Sequence, residues 1–449
     1  MISFTPRQAC LWIHRYTGLA IAAFLVIASL TGALLAFHHE LDDMFNQKLA
    51  SIETQSTPLL PIAELHDKVI TTYPEHKFSS MPTSITPDKS VVFSVDRNRG
   101  RGKSQPKAPF QEVYVNPYTS DIIGTRDKDA WAWENTMWKV FWLHRDLLLG
   151  DIGKWVLGIV SLVWTVNCFI GFYLTFPRAA KANTKPASNK KRASFFKRWL
   201  PAWKIRRKTN TFKLNYDLHH AFGLWLWIML FVIAWSSVGF NLREVYQPVM
   251  QAVVGLTPRE GRAAAKPAPD KTAEQPTEKQ ARAGSDRHSS ASVNDQPNTV
   301  DVSAHVVSKA NSIAYLSEQV DSAARQNGVS VQQLLGIRWV EEDSHWQMRF
   351  KTDKDIGKKG GASSITVDAV TGKVERINFG YQSGFGNKVD QWLSTLHMGH
   401  ISQGWGHRLY QVFLALVGLA VGVLSVTGVY LWWKGRQQRI KSLQKRKQG

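Results

Sequence analysis

Four apolar stretches in this chain are each long enough to cross a lipid bilayer. They run over residues 16–37, 155–176, 222–240 and 409–433, with no Asp, Glu, Lys or Arg inside those limits. A hydrocarbon layer of about 30 Å takes roughly 20 apolar residues as a helix. Lipid offers the backbone no hydrogen-bond partner, so a spanning segment must be a helix or part of a closed barrel. The expectation is a membrane protein whose spans form an all-α four-helix bundle. The first run is longer than the apolar core of a signal peptide, so we read it as a retained span.

Charge orients the spans. The chain has 449 residues and a net charge of +21. Residues 178–213 hold thirteen Lys and Arg and no acid, and residues 434–449 hold seven more and no acid. Both segments abut a span, so the positive-inside rule puts them, and both termini, on the cytoplasmic side. Attraction to anionic lipid accounts for them without a nucleic-acid partner. The expected division is helix 1 within 1–37, an outer unit over 38–154, helix 2 at 155–176 and a basic inner loop at 177–217. Helix 3 follows at 218–240, then a second outer unit over 241–408, helix 4 at 409–433 and a basic tail at 434–449.

The chain repeats itself. Residues 113–122 read VYVNPYTSDI and residues 365–374 read ITVDAVTGKV, each a strand, a tight turn and a strand. An amphipathic helix is expected upstream of each, near 59–73 and 308–327. Each outer unit thus reads as a small α+β fold, and the arrangement span–outer unit–span occurs twice. The strand copies are offset by 252 residues and His144 from His397 by 253, whereas His14 and His219 are offset by only 205. The difference is an insertion, assigned to an unpatterned Ala-, Pro- and Ser-rich linker at about 257–300.

The histidines follow the repeat. His14 and His219 each precede a glycine by four residues, at Gly18 and Gly223, where a span opens. His144 and His397 each precede a glycine by nine residues, at Gly153 and Gly406. Four imidazoles on four helices, two per half, suit two metal centres each held axially from both sides, as in a haem-bearing bundle. Haem b is the expected cofactor, two per chain. Without CxxCH there is no covalent attachment by that route, and the only cysteines are Cys10 and Cys168. His14 and His219 are the inner ligands, with His220 as alternate to His219. His144 and His397 are the outer ligands. They lie about eleven residues before their apolar runs, roughly 16 Å along a continuous helix. Depth alone would instead choose His38, His39 or His407, and His400 is a further alternate. Arg145 and Arg408 are candidates for haem propionates, because a guanidinium matches a carboxylate. His66, His76, His288, His305 and His345 lack metal-ligand spacing and are assigned no chemistry. Small residues late in the spans, Thr31-Gly32, Gly171, Ser236-Ser237-Val-Gly239 and Thr427-Gly428, serve close packing.

These residues carry a resemblance. His14-Arg-x-x-Gly18, Leu30-Thr31-Gly32, Leu143-His144-Arg145-x-Leu147, Asp217-Leu218-His219, Leu396-His397-x-Gly399 and Thr427-Gly428-x-x-Leu431-Trp432-Trp433, in this order, resemble the PepSY-associated transmembrane proteins. The two outer units resemble PepSY domains. The resemblance implies a multi-pass protein of the bacterial inner membrane with periplasmic outer units. It also implies a haem-containing oxidoreductase that reduces ferric siderophore for iron release. Some relatives carry a fused flavin or nicotinamide reductase domain. This chain has no GxGxxG fingerprint, so its electron donor, quinol or a cytoplasmic reductase, is open. No catalytic acid, base or nucleophile is assigned. The alternative is a non-enzymatic, membrane-anchored PepSY protein that binds a peptide or protease or signals. Matched histidines argue against it, since an anchor needs no imidazole. A transporter is disfavoured by the lack of acidic residues in the spans.

Overall fold

The computed structural model describes residues 5–96, 108–178, 193–257, 306–357, 361–401 and 404–448. The expected linker at 257–300 lies outside them apart from its first residue. The helices in chain order are α1 (Pro6–Leu35), α2 (His38–Phe45), α3 (Gln47–Ala50), α4 (Ile62–Thr72), α5 (Thr136–Asp146), α6 (Gly150–Thr175) and α7 (Phe195–Trp199). They continue as α8 (Thr211–Trp225), α9 (Trp227–Asn241), α10 (Arg243–Val254), α11 (Lys309–Gln326), α12 (Phe385–Met398) and α13 (Gly404–Gln448).

Three of these, α1, α6 and α13, are long and apolar enough to span a membrane, and α8 with α9 passes as a bent fourth. α1 opens on a capping box, Thr5 with Gln8, and Pro6 fits the first turn. The third span is not one straight helix. α8 and α9 meet at 71° around Leu226. The fourth runs on through the basic tail as one helix to Gln448. α1 packs on α13, α6 and α5, α6 packs on α9, and α8 packs on α13. Large apolar side chains remain exposed along these helices, among them Leu30, Ile159, Val166, Ile228, Leu416 and Val426. An apolar outer surface on helices of this length is a lipid-facing surface.

The expected amphipathic helices are α4 and α11. The strands are β1 (Ser80–Met81), β2 (Val91–Ser94), β3 (Glu112–Val115), β4 (Ile122–Arg126), β5 (Val331–Val340), β6 (His345–Thr352), β7 (Ser363–Asp368) and β8 (Val374–Asn378). β2-β3-β4 form one antiparallel sheet, and β1-β5-β6-β7-β8 form another. β1 comes from the first half of the chain but pairs with β5 of the second, Ser80 opposite Arg338 and Met81 opposite Ile337. The expected small units are therefore fused. One core holds Leu65, Val69, Phe93 and Val113 together with Leu316, Val320, Met348 and Phe350.

Buried polar contacts fasten this sheet region to the helices. Both terminal nitrogens of Arg126 donate to Asp42 at 2.9 Å, and its Nε donates to Asn135 Oδ1 at 3.0 Å. Removing one partner would strand a buried charge, so the link holds β4 to α2 and the start of α5.

Candidate functional site

The approach to the second span differs from the continuous helix expected. α5 ends at Asp146, and Leu147 and Leu148 take φ of 55° and 60° before α6 starts at Gly150. Left-handed backbone is costly for a branched residue, so the surrounding structure must enforce it. The reversal packs the start of α6 on the end of α5. A Cβ on Gly153 would stand 1.6 Å from the Asp146 carbonyl oxygen, so only glycine fits there. His144 is thereby carried back along the spans instead of 16 Å beyond them. α12 ends likewise, at Gly399 with φ 76°, before α13 begins at Gly404.

Four histidines meet as two pairs. The rings of His14 (α1) and His219 (α8) have centroids 6.3 Å apart and planes at 72°. The rings of His144 (α5) and His397 (α12) are 6.4 Å apart at 70°. Two imidazoles bound through nitrogen on opposite sides of one metal at about 2.0–2.1 Å, with about 1.1 Å from nitrogen to ring centre, would have their centroids about 6.3 Å apart. Distance alone does not discriminate, because His219 and His220 are also 6.2 Å apart. Those two are consecutive on one helix and diverge by about 100° around it. The pairs above join separate helices.

Each ring leans on small residues of a neighbouring helix. Cε1 of His14 lies 3.0 Å from the Cβ position of Gly171, that of His144 3.1 Å from Gly32, and that of His219 3.3 Å from Gly428. His144 Nδ1 donates to Ala28 O at 3.1 Å and to Thr31 Oγ1 at 3.0 Å. His219 Nδ1 donates to Leu424 O at 3.0 Å and Thr427 Oγ1 at 3.1 Å. His397 Nδ1 donates to Ser236 Oγ at 2.7 Å. Carbonyl oxygens only accept. The three hydroxyls give their own protons to helix carbonyls, Thr31 to Ile27, Thr427 to Val423 and Ser236 to Val232. The proton therefore sits on Nδ1, and Nε2 keeps its lone pair for a metal. Sequence alone marks these hydroxyl-bearing positions as small residues that serve close packing and give a flat macrocycle clearance, without a hydrogen-bonding role. Their spacing, one turn from the backbone acceptor, was the missed signal. His14 is the exception: its Nδ1 is buried without a hydrogen-bond partner among the described residues, and Ile170 stands where the other spans have Thr or Ser. The nearby polar pair, Thr17 and Asn167, bond to each other at 2.9–3.1 Å.

The pairs lie at opposite ends of the spans. His14 and Thr31, which touch different pairs, are seventeen residues apart on α1, about 25 Å of helix. On α13, Tyr410 donates to Leu396 O beside His397 and Thr427 holds His219, again seventeen residues apart. The basic helix end beyond Lys434 and the segment around Arg206 lie at the His14–His219 end. There Arg206 pairs with Asp217 of α8 at 2.7 Å.

The alternates make other contacts among the described residues. His38 and His39 contact each other on α2, and His38 contacts Trp138. His220 stacks on Tyr216 at 4.0 Å and bonds its carbonyl. His407 Nδ1 is buried without a hydrogen-bond partner among the described residues, and the His400 backbone N–H bonds Thr395 O. Arg145 pairs with Asp146 at 3.0 Å and lies over the Trp142 ring at 4.3 Å, while Arg408 is exposed.

Membrane-crossing helices beneath a shared α+β sheet region define a polytopic membrane protein, with half-buried imidazoles facing each other across its helices. The chain belongs to the family described as the PepSY-associated TM region, which matches residues 11–446. No curated protein matches the chain.

Proposed function

We propose that this protein is a diheme b-type cytochrome of a bacterial inner membrane that passes electrons to an acceptor on the far side. The acceptor of choice is a ferric siderophore, reduced to release Fe(II). One observation carries the reading: two imidazole pairs, each at the spacing of a bis-histidine metal centre, stand about 25 Å apart along α1. A haem held this way supplies reversible one-electron chemistry. The chain's own part is to present Nε2, fix the tautomer through Thr31, Ser236, Thr427 and the backbone, and shield the rings with apolar helices. Internal duplication of a span–outer unit–span element explains why each pair takes one histidine from each half.

The basic segments at the His14–His219 end mark it as the cytoplasmic entry, from quinol or a soluble reductase. The His144–His397 end, below the periplasmic sheet region, is then the exit. Iron in the acceptor gains one electron, and Fe(II) is held less tightly than Fe(III) by hard oxygen ligands.

The test is the visible spectrum of the detergent-purified protein, oxidised and reduced, with haem counted per chain. About two haems with sharp reduced bands are expected from paired axial imidazoles. His144→Ala and His397→Ala should each remove one centre, and His14→Ala and His219→Ala the other. A protein that stays colourless when expressed with haem supplied would refute the reading and favour a PepSY binding or signalling protein.

A further inference from the structure

We propose that His345, Asp368 and Glu375 form a binding site for a divalent first-row transition-metal ion, independent of the paired histidines. Sequence spacing gave His345 no role, because its partners lie 23 and 30 residues away. Strand pairing brings them together. His345 opens β6 and stands directly opposite Asp368 at the end of β7. Glu375 lies on β8, where Val367 faces Val374 and Thr366 faces Arg376. Glu375 is thus the extra residue of a β-bulge, an irregularity that re-aims a side chain. One ligand atom from each of the three residues lies within 4.8 Å of the others. His345 Nε2 is already 3.0 Å from Glu375 Oε1.

The site is partly built in advance. Asp368 Oδ1 accepts the backbone N–H groups of Val370 and Thr371, both at 2.8 Å. Those bonds hold its carboxyl below the usual carboxylate range, with Thr371 the main cause. They also fix its orientation. His345 is largely covered, with 15% of its side chain accessible, while Glu375 at 41% opens the site to solvent. Metal–ligand bonds of about 2.1 Å in a tetrahedron put donor atoms about 3.4 Å apart, so three ligand atoms already within 4.8 Å of one another need only small adjustments to close on an ion.

The donor set selects the ion class. An imidazole with two carboxylates suits Mn(II), Fe(II), Co(II) or Zn(II), whereas Mg(II) and Ca(II) favour oxygen-only shells. Two negative charges match a dication, and three protein ligands leave positions for water. Such a site takes up an ion and gives it back.

The experiment is calorimetric titration of Zn(II) into the full-length, chelator-treated protein in detergent. The comparison includes His345→Ala, Asp368→Asn and Glu375→Gln. One Zn(II) per chain is expected, with affinity lowered about tenfold or more in each variant. Zn(II) should raise the melting temperature of the parent protein and not that of His345→Ala, with metal-free melting temperatures alike. A parent that binds no Zn(II), or His345→Ala and Glu375→Gln variants that bind within about threefold of it, would overturn the proposal. The paired histidines are common to parent and variants, so the difference between them reports this site alone.

Discussion

The imidazole of His144 rests on Gly32, with Cε1 3.1 Å from where a Cβ would stand. Gly171 bears the same relation to His14 at 3.0 Å, in the other pair. Two hydrogen bonds already hold the His144 ring in place, so that ring has little room to yield. In Gly32→Leu the side chain would occupy the space of the imidazole, and His144 could no longer face His397. The expected result is loss of one haem of two with the other retained, read from haem per chain and the reduced spectrum. Gly171→Leu should remove the opposite centre. If both variants lost both centres, or neither, the separate seating of the two pairs would be wrong.

Gly153 lets α6 start against the end of α5. In Gly153→Ala the new methyl would meet the Asp146 carbonyl, so the turn must open. Overpacking of this kind costs about 1–3 kcal/mol. The displacement falls next to His144, two residues before Asp146. We expect a lower melting temperature and partial or complete loss of the His144–His397 centre, with the His14–His219 centre intact. A variant with unchanged spectrum and melting temperature would contradict the close approach.

His66 gives the sheet region a pH dependence. Burial holds its imidazole below its ordinary value, against the bond to the Phe78 carbonyl at 2.5 Å, which acts the other way. That bond uses Nε2, and Nδ1 is buried with no partner among the described residues. Below pH about 6.5 the unfolded chain takes up a proton at His66 that the folded chain refuses. Stability is therefore present above that pH and falls as the pH drops through it. The melting temperature should be lower at pH 5 than at pH 7.5, and the gap should narrow in His66→Gln. An equal gap in the variant would assign the effect elsewhere.

Much of the helical framework was legible because lipid imposes a simple code of length and charge. The four histidines were legible because His14 and His219 share a four-residue spacing to a glycine, and His144 and His397 a nine-residue one; the structure brings the same four residues together. The bend at Leu226 was not, since Phe222 through Trp227 are mostly apolar and contain no proline. The reversal after α5 was hidden for a related reason. It rests on two leucines in left-handed backbone, where glycine or asparagine would have announced a turn. The exchange of β1 into the second sheet joins residues more than 250 apart, and no local pattern encodes a pairing of that range. The hydroxyls that hold the imidazoles were visible as residues, but a threonine in a span reads first as a packing group.

Each facing pair takes one imidazole from the chain before residue 178 and one from the chain after residue 193. Neither half owns a complete pair. A break in the intervening basic segment would leave two fragments that each present two lone histidines, and only their correct reunion would restore either pair. If the pairs hold haem as proposed, colour in a mixture of separately expressed halves would report assembly itself.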